Sequence, residues 1–174
     1  MISCGSTSDS LSSTSSDNSS SISSSTDDSD SSTTLQISSF VIDTTFPTVS
    51  SVAITDAEGI QNNILNAGDN VSVTATFSEV VIVDNSSSNP TLTMALDSTN
   101  PNATYTSGNN STVLVFKYTI QTGDTDNDGI SIGSSALALN SATIRDAADN
   151  NATLTHNSVT NNSSYKVDTT PPTV

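Results

Sequence analysis

Tryptophan is absent from this chain and cysteine occurs once, so no intrachain disulfide can form and the Cys–Trp–Cys core of antibody-type domains is ruled out. Basic residues are almost as scarce: three Lys+Arg stand against 18 Asp+Glu, a formal net charge of −15. A surface that negative argues against nucleic acid and against an anionic membrane surface as partners, and makes cations the natural ligands. Charged residues make up only 12% of the chain, because Ser, Thr and Asn supply the polarity. That palette is poor in the residues that build helices and is typical of secreted, extended surface proteins. No apolar run reaches the length needed to cross a bilayer as a helix.

What the chain does have is a repeat. Residues 43–49 read Asp-Thr-Thr-Phe-Pro-Thr-Val and residues 168–174 read Asp-Thr-Thr-Pro-Pro-Thr-Val. An offset of 125 residues is too long for a helical solenoid or a leucine-rich repeat and is about the size of one β-sandwich domain. The expectation is a repeat met in mid-array: a linker over 1–40, one domain over 41–168, and the start of a further repeat at 169–174.

Cys4 stands in Met1-Ile2-Ser3-Cys4-Gly5, ahead of a tract of Ser, Thr and Asp that runs to about Thr34. Leu11 and Ile22 are nearly the only apolar side chains of that tract, too few to offset backbone entropy, so it reads as a disordered tether. Some thirty flexible residues give a root-mean-square span of roughly 30 Å, enough to lift a domain off a surface without fixing its orientation. A small residue before Cys and a polar tether after it resemble the end of a bacterial lipoprotein signal, in which the Cys is lipidated. The upstream apolar segment of such signals is missing, and a chance Cys in a disordered tail is the alternative.

From Leu35 onward the pattern changes to short alternating runs bounded by Gly, Asn, Asp and Pro, the signature of half-buried antiparallel strands and their turns. Strands are expected near 48–55, 70–77, 80–83, 91–96, 102–106, 112–120, 130–132, 142–144, 153–154 and 164–168; residues 135–140 read as a helical turn or a further strand. Val71, Val73, Ala75 and Phe77 share one face, and Leu114, Phe116, Tyr118 and Ile120 form a second inward row. The two rows facing one another would make a sandwich core.

Several motifs recur in order across 43–168. They are Asp-Thr-Thr-x-Pro-Thr-Val, Val52-Ala53-Ile54-Thr55-Asp56, Asn66-Ala67-Gly68-Asp69, Phe77-Ser78-Glu79-Val80-Val81, the run from Leu114 to Ile120, and Ile144-Arg145-Asp146-Ala147-Ala148-Asp149-Asn150. Together they resemble the bacterial Ig-like repeats found in tandem arrays in surface adhesins and biofilm-associated proteins. The resemblance implies an all-β, Ig-like antiparallel β-sandwich and a non-enzymatic spacer or stalk at the cell surface or outside the cell; the lipoprotein-like context of Cys4 adds an outer-membrane lipoprotein as one form of that localisation. Its partners would be neighbouring repeats of the same chain and host or matrix ligands, with no nucleic acid and with membrane contact only through a lipid at Cys4. One departure is Asp149, where such repeats carry Gly in a turn; the position calls for positive φ.

The resemblance also implies calcium at domain junctions, and the acids are compatible with it. Glu79 closes one expected strand, Asp146 follows another, and Asp43 and Asp168 mark the two junctions, all where loops gather at a pole of a sandwich. Calcium needs six to eight hard oxygens, which such a pole offers. Asp56 and Asp149 are further candidates. The alternative is that these acids only solubilise loops and cap turns. Asp124-Thr125-Asp126-Asn127-Asp128-Gly129 spaces Asp124, Asp126 and Asp128 as in the first half of an EF-hand loop, but position twelve is Ser135 and the flanks read as strands. This leaves a calcium-binding Asp loop of another kind or an acidic turn.

Gly129-Ile130-Ser131-Ile132-Gly133 satisfies the Gly-x-Ser-x-Gly pattern of a nucleophile elbow, yet Ser131 is the polar member of a strand with no helix to follow. His156, the only histidine, lies in a polar stretch, so no enzyme activity is expected. Asn-x-Ser/Thr triplets such as the one at Asn102 follow from composition. Lys117 alternates with Phe116 and Tyr118 and so reads as a solvent-facing lysine rather than a crosslink donor. A carbohydrate- or host-protein-binding Ig-like module is the other function class, and the scarcity of aromatics counts against it.

Overall fold

The computed structural model describes residues 41–174, with the backbone of Ser19, Ser20 and Phe40 besides. Cys4 lies outside the described residues. There are two compact units, Met1–Asp43 and Thr44–Val174. In the first, β1 (Ser19–Ser20) pairs antiparallel with β2 (Phe40–Val41).

The second unit is all β, with no helix among the described residues. Its strands are β3 (Val49–Glu58), β4 (Ile64–Leu65), β5 (Asn70–Asp84), β6 (Thr91–Thr93), β7 (Asn102–Ser107), β8 (Ser111–Thr119), β9 (Thr125–Asp126), β10 (Leu137–Ala138), β11 (Thr143–Arg145) and β12 (Lys166–Asp168). A curled antiparallel sheet runs β10-β6-β7-β8-β5-β11, with β3 also paired to β5. A smaller sheet, β4-β12-β9, holds β12 parallel to β4 and antiparallel to β9. The result is a sandwich-like all-β fold, as the period-two rows predict.

One expectation about the core is corrected. Val73 pairs with Phe116 and Ala75 with Leu114 across the β5–β8 ladder, so the two apolar rows lie side by side on one face of one sheet instead of facing each other. Cross-strand neighbours at this spacing pack as a continuous apolar surface. The same core cluster takes in Leu65 and Val167 of the small sheet together with Met94, Ile130 and Ile132. At its centre Phe116 is fully buried and meets the Tyr105 ring edge-on at 5.9 Å.

Residues 70–84 are one strand where two were expected. Irregular pairing with β8 between Thr76 and Val81 lets β5 continue past the polar Ser78-Glu79 step, so Glu79 sits within a strand rather than closing one. Residues 137–138 are strand and not helical turn; Ser135 and Asn140, on either side, both have positive φ and cut the segment too short for a helix. Residues 130–132 and 153 form isolated bridges, Ser131 with Ala95, Ile132 with Val159 and Thr153 with Thr48. The two-residue strands β4 and β9 were not expected, since neither carries a period of its own.

This topology gives the second unit two poles. Its chain begins beside Ser78, whose N–H donates to Thr48 O at 2.8 Å, and β12 ends beside β9 and the turn that leads into Asn70. Asn70 and Ser78 belong to one extended strand, eight steps apart, so the N-terminal and C-terminal poles lie about 26 Å from each other.

Candidate metal sites at the two poles

At the N-terminal pole the chain from Thr44 to Val49 is stitched down on both sides. Thr48 N–H donates to Ser78 Oγ at 3.0 Å, Thr153 N–H to Pro47 O at 2.7 Å, and the Asn150 side-chain amide to Thr45 O at 3.2 Å. Pro47 and Val49 are buried. The loop after β11 is organised by Asp146, only 4% exposed. Its Oδ1 accepts N–H groups from Ala148 (2.8 Å) and Asn150 (2.9 Å), and its Oδ2 accepts the Asn150 amide at 2.8 Å. Burial works against ionisation of Asp146, but these Asn150 and Ala148 donors outweigh it and hold the carboxyl below its ordinary range. Asp149 closes the turn at φ 66°, the left-handed geometry that its place in the motif calls for.

Glu79 and Asp146 of the second unit each offer a carboxylate oxygen, and the two lie within 4.8 Å of each other; Asp43 ends the first unit. Calcium–oxygen distances of 2.3–2.6 Å allow two ligands of one ion to stand at most about 5 Å apart, so the group meets the distance that a shared calcium imposes. Asp146 keeps accepting capacity beyond its three hydrogen bonds, since an ionised carboxylate has about four lone-pair directions.

At the C-terminal pole a second group, Asp97, Asp126 and Asp128, satisfies the same 4.8 Å limit. Asp126 is 2% exposed and its Oδ1 accepts Gly129 N–H at 2.6 Å. Burial pushes the Asp126 carboxyl up; Gly129 N–H pulls it back, and the Asp97 and Asp128 charges add to the rise. Asp97 Oδ2 accepts the Asn127 backbone N–H at 2.9 Å, and Asp128 Oδ2 accepts the Asn161 side-chain amide at 2.6 Å. Gly129 is required here: its φ is 109°, and a Cβ would run into the Asn162 carbonyl.

Sequence spacing groups Asp124 with Asp126 and Asp128, but the fold sends Asp124 elsewhere. Its Oδ2 accepts the Tyr118 hydroxyl at 2.7 Å and Gln121 N–H at 2.8 Å, and its Oδ1 accepts the Thr99 hydroxyl at 3.3 Å. Buried at 5% exposure, it clamps the turn after β8. Asp97 takes the third place in the acid group, and sequence reading missed it because it lies some thirty residues away in an Asp-Ser-Thr-Asn-Pro turn. Only the backbone pairing of that turn with β9, Ser98 N–H to Thr125 O at 3.2 Å, brings it in. Asp168 pairs with Thr125 and caps its own turn through Thr170 N–H at 2.9 Å; it borders the C-terminal group without joining it. Asp56 accepts Ala57 N–H, and Asp149 pairs with Arg145 at 3.8 Å on the surface.

Ser131 of the Gly-x-Ser-x-Gly pattern and His156 have hydrogen-bond partners of their own. Ser131 exchanges backbone hydrogen bonds with Ala95. His156 accepts Ala136 N–H on Nε2 at 2.8 Å, while its Nδ1 stands 2.7 Å from Asn157 O and so carries the proton. It borders a shallow groove of about 380 Å³ between residues 49–52 and 155–158. Lys117 pairs with Glu58 at 3.3 Å on the solvent side. Comparison with protein families, curated proteins and solved structures finds no match for this chain.

Proposed function

We propose that residues 44–174 are a non-enzymatic Ig-like module of a tandem array outside the cell, a spacer that holds an adhesive part away from the surface and takes up calcium at its poles. The observation that carries this reading is the pair of acid groups, Glu79/Asp146 and Asp97/Asp126/Asp128, at opposite ends of the second unit, where successive modules of a stalk would meet. Five carboxylates in two groups repel one another unless a cation joins them. Hard oxygen donors at this spacing suit calcium better than magnesium, whose shorter bonds demand a tighter octahedron. With calcium bound, each ion would be held by the carboxylates of its group, supplying charge neutralisation and a cross-link between loops. The engagement of both His156 nitrogens supports the non-catalytic part of the reading.

The test is scanning calorimetry of the full chain in calcium and in chelator. An ion that binds only the folded state stabilises it by about 2.7 kcal/mol at one hundred times Kd, a rise of roughly 10 °C in Tm for a domain of this size. Glu79→Gln should remove part of that rise through the first group and Asp97→Asn part of it through the second. Identical melting in calcium and chelator would sink the calcium reading.

A further inference from the structure

Residues 43–49 and 168–174 carry the same motif, but the structure treats them oppositely. Pro47 is buried and Val49 is only 8% exposed, whereas their counterparts Pro172 and Val174 are exposed. The hydrogen bonds divide within Thr170, whose N–H still donates to Asp168 Oδ1 at 2.9 Å. Thr169 belongs to the C-terminal pole: its hydroxyl donates to Asp124 O at 2.9 Å and accepts Gly123 N–H at 3.0 Å. Thr170 corresponds to Thr45, whose carbonyl is held by the Asn150 side chain at the N-terminal pole, and Thr173 corresponds to Thr48, which exchanges hydrogen bonds with Ser78.

We propose that residues 168–174 form a shared segment whose partner is a second copy of this same domain, with no free linker residue between the two. Thr169 and the Thr170 N–H are tied to the domain that they end, and the Thr170 carbonyl, the counterpart of Thr45 O, to the domain that it begins. Consecutive Cα atoms are 3.8 Å apart across a trans peptide, so both ties hold at once only if the C-terminal pole of one copy abuts the N-terminal pole of the next. Buried positions for Pro172 and Val174 then exist in the second copy, as they do for Pro47 and Val49 in this one. The inference rests on the array reading above but not on calcium, because every tie named is a hydrogen bond or an apolar contact.

The experiment extends the full chain past Val174 with a second copy of residues 50–174 and measures residual dipolar couplings from both copies, in calcium and in chelator. One common alignment tensor is expected under both conditions. Two Gly inserted between Thr169 and Thr170 should split it into two, and Thr169→Ala should move it in the same direction. The Val174 amide, the counterpart of one that donates to Thr153 O, should exchange at least tenfold more slowly than in the single chain. A common tensor in calcium alone would overturn the shared-segment inference and leave the calcium reading standing. Independent tensors under both conditions would overturn the inference, with the calorimetric test of calcium still to be read separately.

Discussion

The Tyr118 hydroxyl donates to Asp124 Oδ2 at 2.7 Å, and that bond commits to the turn an acid that sequence spacing assigns to a metal loop. Removing it in Tyr118→Phe should cost about 1.5–3 kcal/mol, the range for hydrogen bonds to charged groups, measured by denaturant unfolding. The substitution also alters the alkaline limb. Burial, the Asp124 hydrogen bond and its charge push the Tyr118 hydroxyl up to about 12. An unfolded tyrosine ionises near pH 10 while the folded one does not. Stability is therefore intact below pH 10 and falls as pH rises from there towards 12, and Tyr118→Phe should lose that part of the fall.

Asp126 and Asp146 are both buried yet respond to acid with opposite signs. The Asp146 carboxyl is held low, so its contribution is present above the unfolded carboxylate range and is lost as pH falls through its folded value. The Asp126 carboxyl is pushed up, so it weighs against folding when ionised, and protonation relieves that weight as pH falls. In chelator at neutral pH, Asp126→Asn should raise Tm and Asp146→Asn should lower it. In calcium Asp126→Asn should lose its advantage. A Tm change of the same sign for both in chelator would contradict the assignment.

Asp149 holds φ 66° without the freedom of glycine. Asp149→Gly should stabilise by roughly 0.5 kcal/mol, since left-handed geometry costs a side-chain-bearing residue about 1 kcal/mol and the added chain entropy returns part of it. The exposed Arg145 pair at 3.8 Å adds little to the account. Gly129→Ala should do the reverse, losing about 2 kcal/mol or more, because φ 109° and the Asn162 carbonyl both oppose a Cβ. Paired urea titrations decide both.

Phe116→Ala empties the centre of the core and should cost about 3–5 kcal/mol. Val115→Ala, next along β8 and facing outward between strands, should cost well under half of that. Equal losses at the two positions would mean that the inward row had been misassigned.

Strand positions and core residues were legible because period two survives in residues 70–77, where one face is apolar and the other is Asn, Ser and Thr, and in residues 116–120, where Lys117 and Thr119 alternate with the inward row. The relation between those rows was not, since alternation identifies a buried face but says nothing about which strand lies beside it. The poles divide the same way. Glu79 and Asp146 stand at the ends of expected strands, and Asp149 lies in an Asp- and Asn-rich stretch whose composition marks a turn. Asp97 gives no local signal, because only the pairing of its turn with Thr125 carries it to Asp126. Asp124, Asp126 and Asp128 look equivalent along the chain; burial beside the Tyr118 hydroxyl, which no spacing rule contains, separates the first from the others.

The fifteen-residue β5 has a mechanical consequence. The first strand of the domain, β3, runs antiparallel along it, and the last, β12, leaves at the far end locked between β4 and β9. Tension applied through Thr44 and Val174 acts along the strand direction and strains the β3–β5 bonds together rather than one at a time. A domain pulled this way yields by sliding, not by peeling. Single-molecule pulling should show one high-force step per domain, whereas pulling from Val49 and Phe77, which face each other across the ladder, should open it at much lower force.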